Sequence, residues 1–300
     1  VEGRVRWDPA RSLWFGGITL VALVGAVPAF TPGAFALFAA TTALSLCTGH
    51  SVGIHRGLIH RAYRVPRPLE YALVYVGVLV GLGGPLGLVR MHATRDFHQN
   101  QPDCHDFFAH RQPAWRDYLW NLHCRFEHPR PHVPRLEPAV EGDRFYAFLE
   151  RTWRLQQLPW ALLLLWLGGL PWLVWGGFVR VAVGTTGHWL VGHVSHRGGY
   201  RGWHNRGAAV QGFNSLLFGA LSMGEGWHNN HHAFPRSARI GLRPWEFDAG
   251  WWFLCALRAL GLATGVRVAG EGTRAPSAVA LVPDAGRTPR PAALAPSRSG

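Results

Sequence analysis

The sequence predicts an all-α integral membrane protein: four transmembrane helices in two hairpins with a cytoplasmic histidine-rich helical cap. Three observations predict it. Apolar runs recur at lengths that cross a bilayer, 48% of the 300 residues are hydrophobic with 15 Trp among them, and the 17 histidines gather in short groups near the ends of those runs.

Residues 12–30 and 34–54 each run for about 20 residues without a charged side chain, enough to cross about 30 Å of hydrocarbon at about 1.5 Å per residue. Thr31-Pro32-Gly33 between them is turn chemistry, so the two runs form a hairpin. Residues 69–89 are a third apolar run, but Gly81, Gly83, Gly84, Pro85 and Gly87 break its second half. A crossing there would strand the later histidines on the face opposite the first ones. The run is therefore expected to be a re-entrant or interface-lying helix, its irregular backbone buried against protein. The same parity divides the next apolar stretch into spans at 152–170 and 171–190, turning at Gly168-Gly169-Leu170-Pro171. Arg180 then falls inside the fourth span, where it must face a polar interior or snorkel. Residues 208–223 and 249–263 are apolar but short and read as amphipathic helices over the cytoplasmic domain. The membrane domain covers 1–269. Residues 270–300, rich in Pro, Ala, Gly, Ser and Arg, have little to bury and read as a disordered tail.

The net charge is +13, yet all 30 basic residues are Arg. With abundant Ala, Gly and Pro this is the composition of a GC-rich bacterial genome, with Arg retained in loops on the inner side of the membrane. A bacterial inner membrane with both termini and the histidine cap cytoplasmic is the expected location. No Arg/aromatic nucleic-acid module is recognisable. Cys47, Cys104, Cys124 and Cys255 lack the paired spacing of a zinc ribbon or disulfide framework and read as reduced thiols. Arg4, Arg6 and Arg11 ahead of the first run resemble a signal-peptide start, but the run is too long for a signal core and no cleavage site convinces, so it is kept as a span.

The histidines carry the chemistry. On a helix, His231 and His232 stand three and four positions beyond His228, which puts all three imidazoles on one face, within reach of one or two metal ions. A solvated His-rich turn is the plainer reading, and two further groups in apolar surroundings argue against it. His55 and His60, five apart, reach a common centre where the helix ends and the chain bends. His92 and Asp96 share a helix face, so an imidazole and a carboxylate can approach one ion. His196 closes the helix before Gly198-Gly199-Tyr200-Arg201 and is the favoured ligand there over His188 and His193. His50 reads as a packing residue, His98 points elsewhere, and His105, His110, His123, His128 and His132 read as surface or hydrogen-bonding histidines. Neutral imidazoles suit iron, copper, nickel or zinc, so ligand type alone leaves the metal open.

In order along the chain stand His55-x-x-x-x-His60 after a membrane hairpin, His92, a second hairpin, and Gly224-Glu225-Gly226-x-His228-Asn229-x-His231-His232-x-Phe234-Pro235. This order resembles the membrane fatty acyl desaturases, particularly the acyl-CoA branch, over roughly residues 13–263. The resemblance implies a four-span mushroom-like fold and a cytoplasmic centre of two iron ions. It also implies dioxygen-dependent insertion of a cis double bond into an acyl-CoA or acyl-lipid chain. It assigns metal ligation to His55, His60, His92, His196, His228, His231 and His232. The second box departs from the family's His-x-x-His-His: Arg95 replaces the middle histidine and cannot ligate, and Asp96 replaces the last and can bind through oxygen. Gly192 also stands where acyl-CoA desaturases carry Asn. No haem domain or dinucleotide fingerprint is evident, so electrons are expected from a separate ferredoxin or cytochrome-like carrier with its reductase. A hydroxylase or ketolase on the same metal core, or a non-catalytic metal- or lipid-binding relative, remains open at this stage.

Overall fold

The computed structural model describes residues 2–129 and 133–281. His132 and residues 282–300, most of the expected tail, lie outside them. The described chain is mostly helical, with two short antiparallel ribbons. Two helical runs, Pro32–Ile59 and Gln157–Ser195, are long and apolar enough to cross a membrane, and Pro9–Gly25 is a shorter apolar helix.

Local chemistry starts these helices where the sequence supplies caps. Asp8 Oδ1 accepts from the Ala10 and Arg11 amides with Pro9 at the first turn, and Thr31 Oγ1 accepts from Ala34 with Pro32 following. The second half of Pro32–Ile59 winds wider than an α-helix: Ser45–Ile59 is π-helical, and the His60 amide donates to the His55 carbonyl at 3.1 Å. Gln157–Ser195 breaks at Gly169 (φ 63°, ψ −157°) just before Pro171, so two helices are joined across a kink in the stretch expected to turn.

The run at 69–89 is not one helix. Arg67–Val78 ends, Gly81 adopts φ 87°, and a new helix, Pro85–Gln99, begins. Arg67–Val78 lies tightly along Ser45–Ile59. A Cβ on Gly49 would stand 2.4 Å from the Gly77 nitrogen, so only glycine permits that approach. The interface is closed by Val52, Tyr63, Leu73, Leu254 and Leu257 on one side and by Leu58, Val74, Val78, Tyr146 and Leu149 on the other. Leu13, Leu20, Leu23 and Val24 on one helix and Leu158, Leu162, Trp166 and Leu170 on another remain exposed, an apolar surface suited to lipid.

Arg180 meets the condition set for a cation among apolar helices. Its guanidinium is buried and donates to the carbonyls of Gly176 (2.7 Å) and Leu79 (2.6 Å) and to Gln157 Oε1 (2.8 Å). The N-terminal segment is built in: Arg4–Trp7 pairs antiparallel with Cys124–Glu127, and Arg11 donates to the carbonyls of Asn121 and Cys124. Ala278–Ala280 pairs with Trp203–Asn205, so ordered structure extends into the stretch read as a tail. The segment 208–223 is helical only over Leu216–Leu221, whereas Ala249–Ala259 forms a longer helix. The four cysteines are free thiols.

One buried ion pair ties these parts together. Arg56 Nη2 meets Asp248 Oδ1 at 2.8 Å, with the two side chains 1% and 2% exposed. A Cβ on Gly250 would come within 2.0 Å of Arg56 Nη1. Arg56→Ala leaves Asp248 buried without its partner and is expected to destabilise the protein by about 3–5 kcal/mol, read as a lowered unfolding midpoint in detergent. An unchanged midpoint would show that the pair contributes nothing to the fold.

Candidate metal centre

The third histidine group is held by its neighbours more than by its own helix. His228–Ala233 is a six-residue helix whose first amides, Asn229 and Asn230, are capped from a distance by Asn214 Oδ1 (2.9 and 3.2 Å). Trp227 is buried beneath it and donates to the Phe247 carbonyl, while Asn229 Oδ1 accepts from the Gly202 and Trp203 amides. The turn is thus fixed at both ends, and its three rings point inward.

Those rings divide between two clusters. One comprises His55, His60, His92 and His231; the other comprises His196, His228 and His232. Within each cluster, ligand atoms lie within 4.8 Å of one another. His55 and His60 face together because the π-helical turn stacks residues five apart, so a wide helix replaces the expected bend. His92 comes from Pro85–Gln99, and His196 terminates Gln157–Ser195. The rings of His228 and His231, and of His231 and His232, have centroids 5.8 Å apart, so one short turn serves both clusters.

Proton accounting tests whether these residues fit a metal. Glu225 Oε2 lies 2.5 Å from His55 Nδ1, and Asp96 Oδ2 lies 3.2 Å from His92 Nδ1. Burial works against ionising either acid, but the neighbouring histidines, and for Glu225 also Arg56 and Ser51, hold both carboxyls well below their ordinary range. A carboxylate thus stands on the Nδ1 side of both rings, and their Nε2 atoms turn toward each other. Those Nε2 atoms lie 3.2 Å apart. In the other cluster His196 Nδ1 faces the Gln211 carbonyl, which leaves its Nε2 lone pair 3.1 Å from His228 Nε2, itself 3.1 Å from His232 Nε2. His60 Nε2 and His231 Nδ1 are buried without a hydrogen-bond partner. Burial also lowers the pKa of His196, His228 and His231 well below that of free histidine, so they stand neutral at pH 7. Converging neutral lone pairs, with carboxylates behind two of them, are what a metal cation requires.

All seven predicted histidines are brought together. Asp96 stands apart: it is not among the grouped ligands but behind His92, where it orients the ring. Of the other histidines, His50 and His188 contact each other edge to face in the cavity wall (4.8 Å), and His98 stacks on Phe108 (4.3 Å). His110, His193 and Trp189 each reach Asp117 Oδ2 at 2.8 Å, a buried hydrogen-bond cluster beside the second site. Sequence reasoning missed Glu225, Asp117 and Gln99. Gln99 Nε2 lies 3.1 Å from His196 Nε2 and donates to the Phe108 carbonyl. Only Glu225 carried a signal, its place inside the Gly-Glu-Gly that opens the third box.

Both clusters border a cavity of about 350 Å³ whose walls are otherwise largely apolar, including Leu46, Ile59, Leu88, Val183, Val191 and Phe218. Two histidine clusters able to hold metal ions, bordering a largely apolar cavity in a chain with helices long and apolar enough to cross a membrane, fit a metalloenzyme that acts on hydrocarbon. No protein-family model matches the chain. It is similar to an sn-1 stearoyl-lipid 9-desaturase of Anabaena variabilis, 36% identical over 89% of this chain and 95% of that protein. It is 34% identical to an acyl-CoA C20 Delta5-desaturase of Anemone leveillei over 88% of this chain and 83% of that protein. A palmitoyl-monogalactosyldiacylglycerol delta-7 desaturase of Arabidopsis thaliana is 33% identical over 91% and 74% respectively. The chain belongs to the fatty acid desaturase family: it is an oxidoreductase that introduces a double bond into fatty acyl chains.

Because Glu225 and Asp96 stand against the Nδ1 atoms of His55 and His92, Glu225→Gln and Asp96→Asn should each weaken metal binding by about 10–100-fold while the protein still inserts into membranes. Metal content after dialysis against a graded chelator measures this. Retention equal to wild type would remove both carboxylates from the centre.

Proposed function

We propose that the protein is a di-iron, dioxygen-dependent desaturase that inserts a cis double bond into an acyl-lipid or acyl-CoA chain. In this reading four spans in two hairpins hold it in a bacterial inner membrane with the metal centre cytoplasmic. The observation that carries the chemistry is the double convergence of imidazole nitrogens at the border of the apolar cavity. The kink at Gly169 supports two spans within Gln157–Ser195, and pairing Pro9–Gly25 with Pro32–Ile59 supplies the other hairpin.

Iron supplies the one-electron chemistry with dioxygen that an unactivated methylene C–H bond demands. The chain's own residues do the rest. His55, His60, His92 and His231 would hold one ion and His196, His228 and His232 the other, while Glu225 and Asp96 fix which nitrogen each ring presents. The apolar walls align the methylene chain against the centre and exclude water. Removing two hydrogens while dioxygen is reduced to two waters takes two electrons and two protons from outside. A separate ferredoxin or cytochrome with its reductase is therefore part of the reading. The lipid-linked and CoA-linked substrates in the names of the relatives support an acyl ester as the substrate class.

Expression in a host rich in saturated lipid, followed by mass spectrometry of acyl methyl esters, tests the proposal. Wild-type protein should yield a new monounsaturated chain, and His228→Ala or His232→Ala should yield none at equal membrane levels. A hydroxylated product, or full activity in either variant, would overturn the assignment.

A further inference from the structure

The two clusters do not share their charges equally. Glu225 and Asp96 both stand behind histidines of the four-member cluster. The three-member cluster has a backbone carbonyl behind His196 and, among the described residues, no carboxylate in an ion pair with any of its three rings, and a cation, Arg95, stands on the same cavity wall. Arg95 lines the same cavity as His228 and His232.

Among the described residues Arg95 has no hydrogen bond and no ion pair. The carboxylates whose fields reach it are Asp96, engaged by His92, and Asp117, engaged by His110, His193 and Trp189. Gly192 leaves space beside it: a Cβ there would stand 3.9 Å from Arg95 Nη1 and 3.5 Å from His110 Nε2. His110 offers a lone pair across that notch but no charge. A guanidinium facing a cavity and lacking a counter-ion repels a metal dication placed beside it, more strongly where water is sparse. Three imidazoles also leave coordination positions unfilled. One anion can answer both conditions, pairing with the guanidinium through charge-assisted hydrogen bonds and filling an open position on the metal.

We propose that the three-histidine position is the weaker of the two and takes up its metal together with a small monoanion that pairs with Arg95. The inference rests on the dinuclear reading above. Anion and second metal then raise each other's affinity by one and the same factor.

The test is an anaerobic Co(II) titration of the detergent-purified, metal-free full chain, followed by visible absorption and equilibrium dialysis, with and without azide. The first Co(II) should bind tightly and independently of azide. The second should bind more weakly, and azide should raise its affinity by about tenfold or more. In Arg95→Gln the second ion should bind more tightly without azide and the azide effect should vanish. Unchanged binding of the first ion checks that the variant is folded. Two ions of equal affinity without azide, or an azide effect undiminished in Arg95→Gln, would overturn the proposal and leave the dinuclear centre standing. Failure of either position to bind Co(II) with or without azide would instead overturn the dinuclear reading and this inference with it.

Discussion

The contact between Glu225 and His55 is the interaction on which the rest of the structure depends. Glu225 precedes the third histidine group, yet its Oε1 accepts from Ser51 and its Oε2 meets His55 Nδ1 on the first, both at 2.5 Å. The oxygen that takes the Ser51 hydroxyl also lies 3.5 Å from Arg56 Nη2, which turns to Asp248. Asp248 in turn accepts from the Ile240, Gly241 and Trp251 amides and so caps Ala249–Ala259. A line of alternating acid and base therefore runs from the His55 ring into the packed core. Burying so much charge is costly unless each member has a partner, so the orientation of the His55 ring is secured by segments nearly 200 residues away in sequence (|i−j| = 192 for Arg56 and Asp248).

That line also accounts for the unequal polarity of the centre. Carboxylate density lies on the side formed by the π-helical turn and Pro85–Gln99. Arg95, one residue before Asp96 on the same helix, faces the cavity that His228 and His232 also line. One helical turn thus places a cation and an anion beside the same cavity.

Much of this was legible in the sequence. The run lengths, the turn residues at 31–33 and 168–171, and the identity of all seven grouped histidines follow from composition, spacing and family resemblance. What could not be read depends on contacts between distant segments. Asp96 shares a helix face with His92, as its spacing requires, but whether it meets a metal or a ring nitrogen depends on where His55 stands. Glu225, Asp117 and Gln99 find their partners 170, 76 and 97 residues away, separations that no local pattern encodes. Arg180 looked like a liability by hydropathy, and two carbonyls and Gln157 supplied from across the fold accommodate it.

The wide helix at Ser45–Ile59 has a bearing on how this chain can vary. Five-residue spacing of His55 and His60 works because the amide of one bonds the carbonyl of the other. Side-chain exchanges along the outer surface leave that register untouched. Loss or gain of a single residue between the two histidines would rotate one ring away from its neighbours without altering any ligand's identity. In this stretch, chain length is itself part of the metal-binding information.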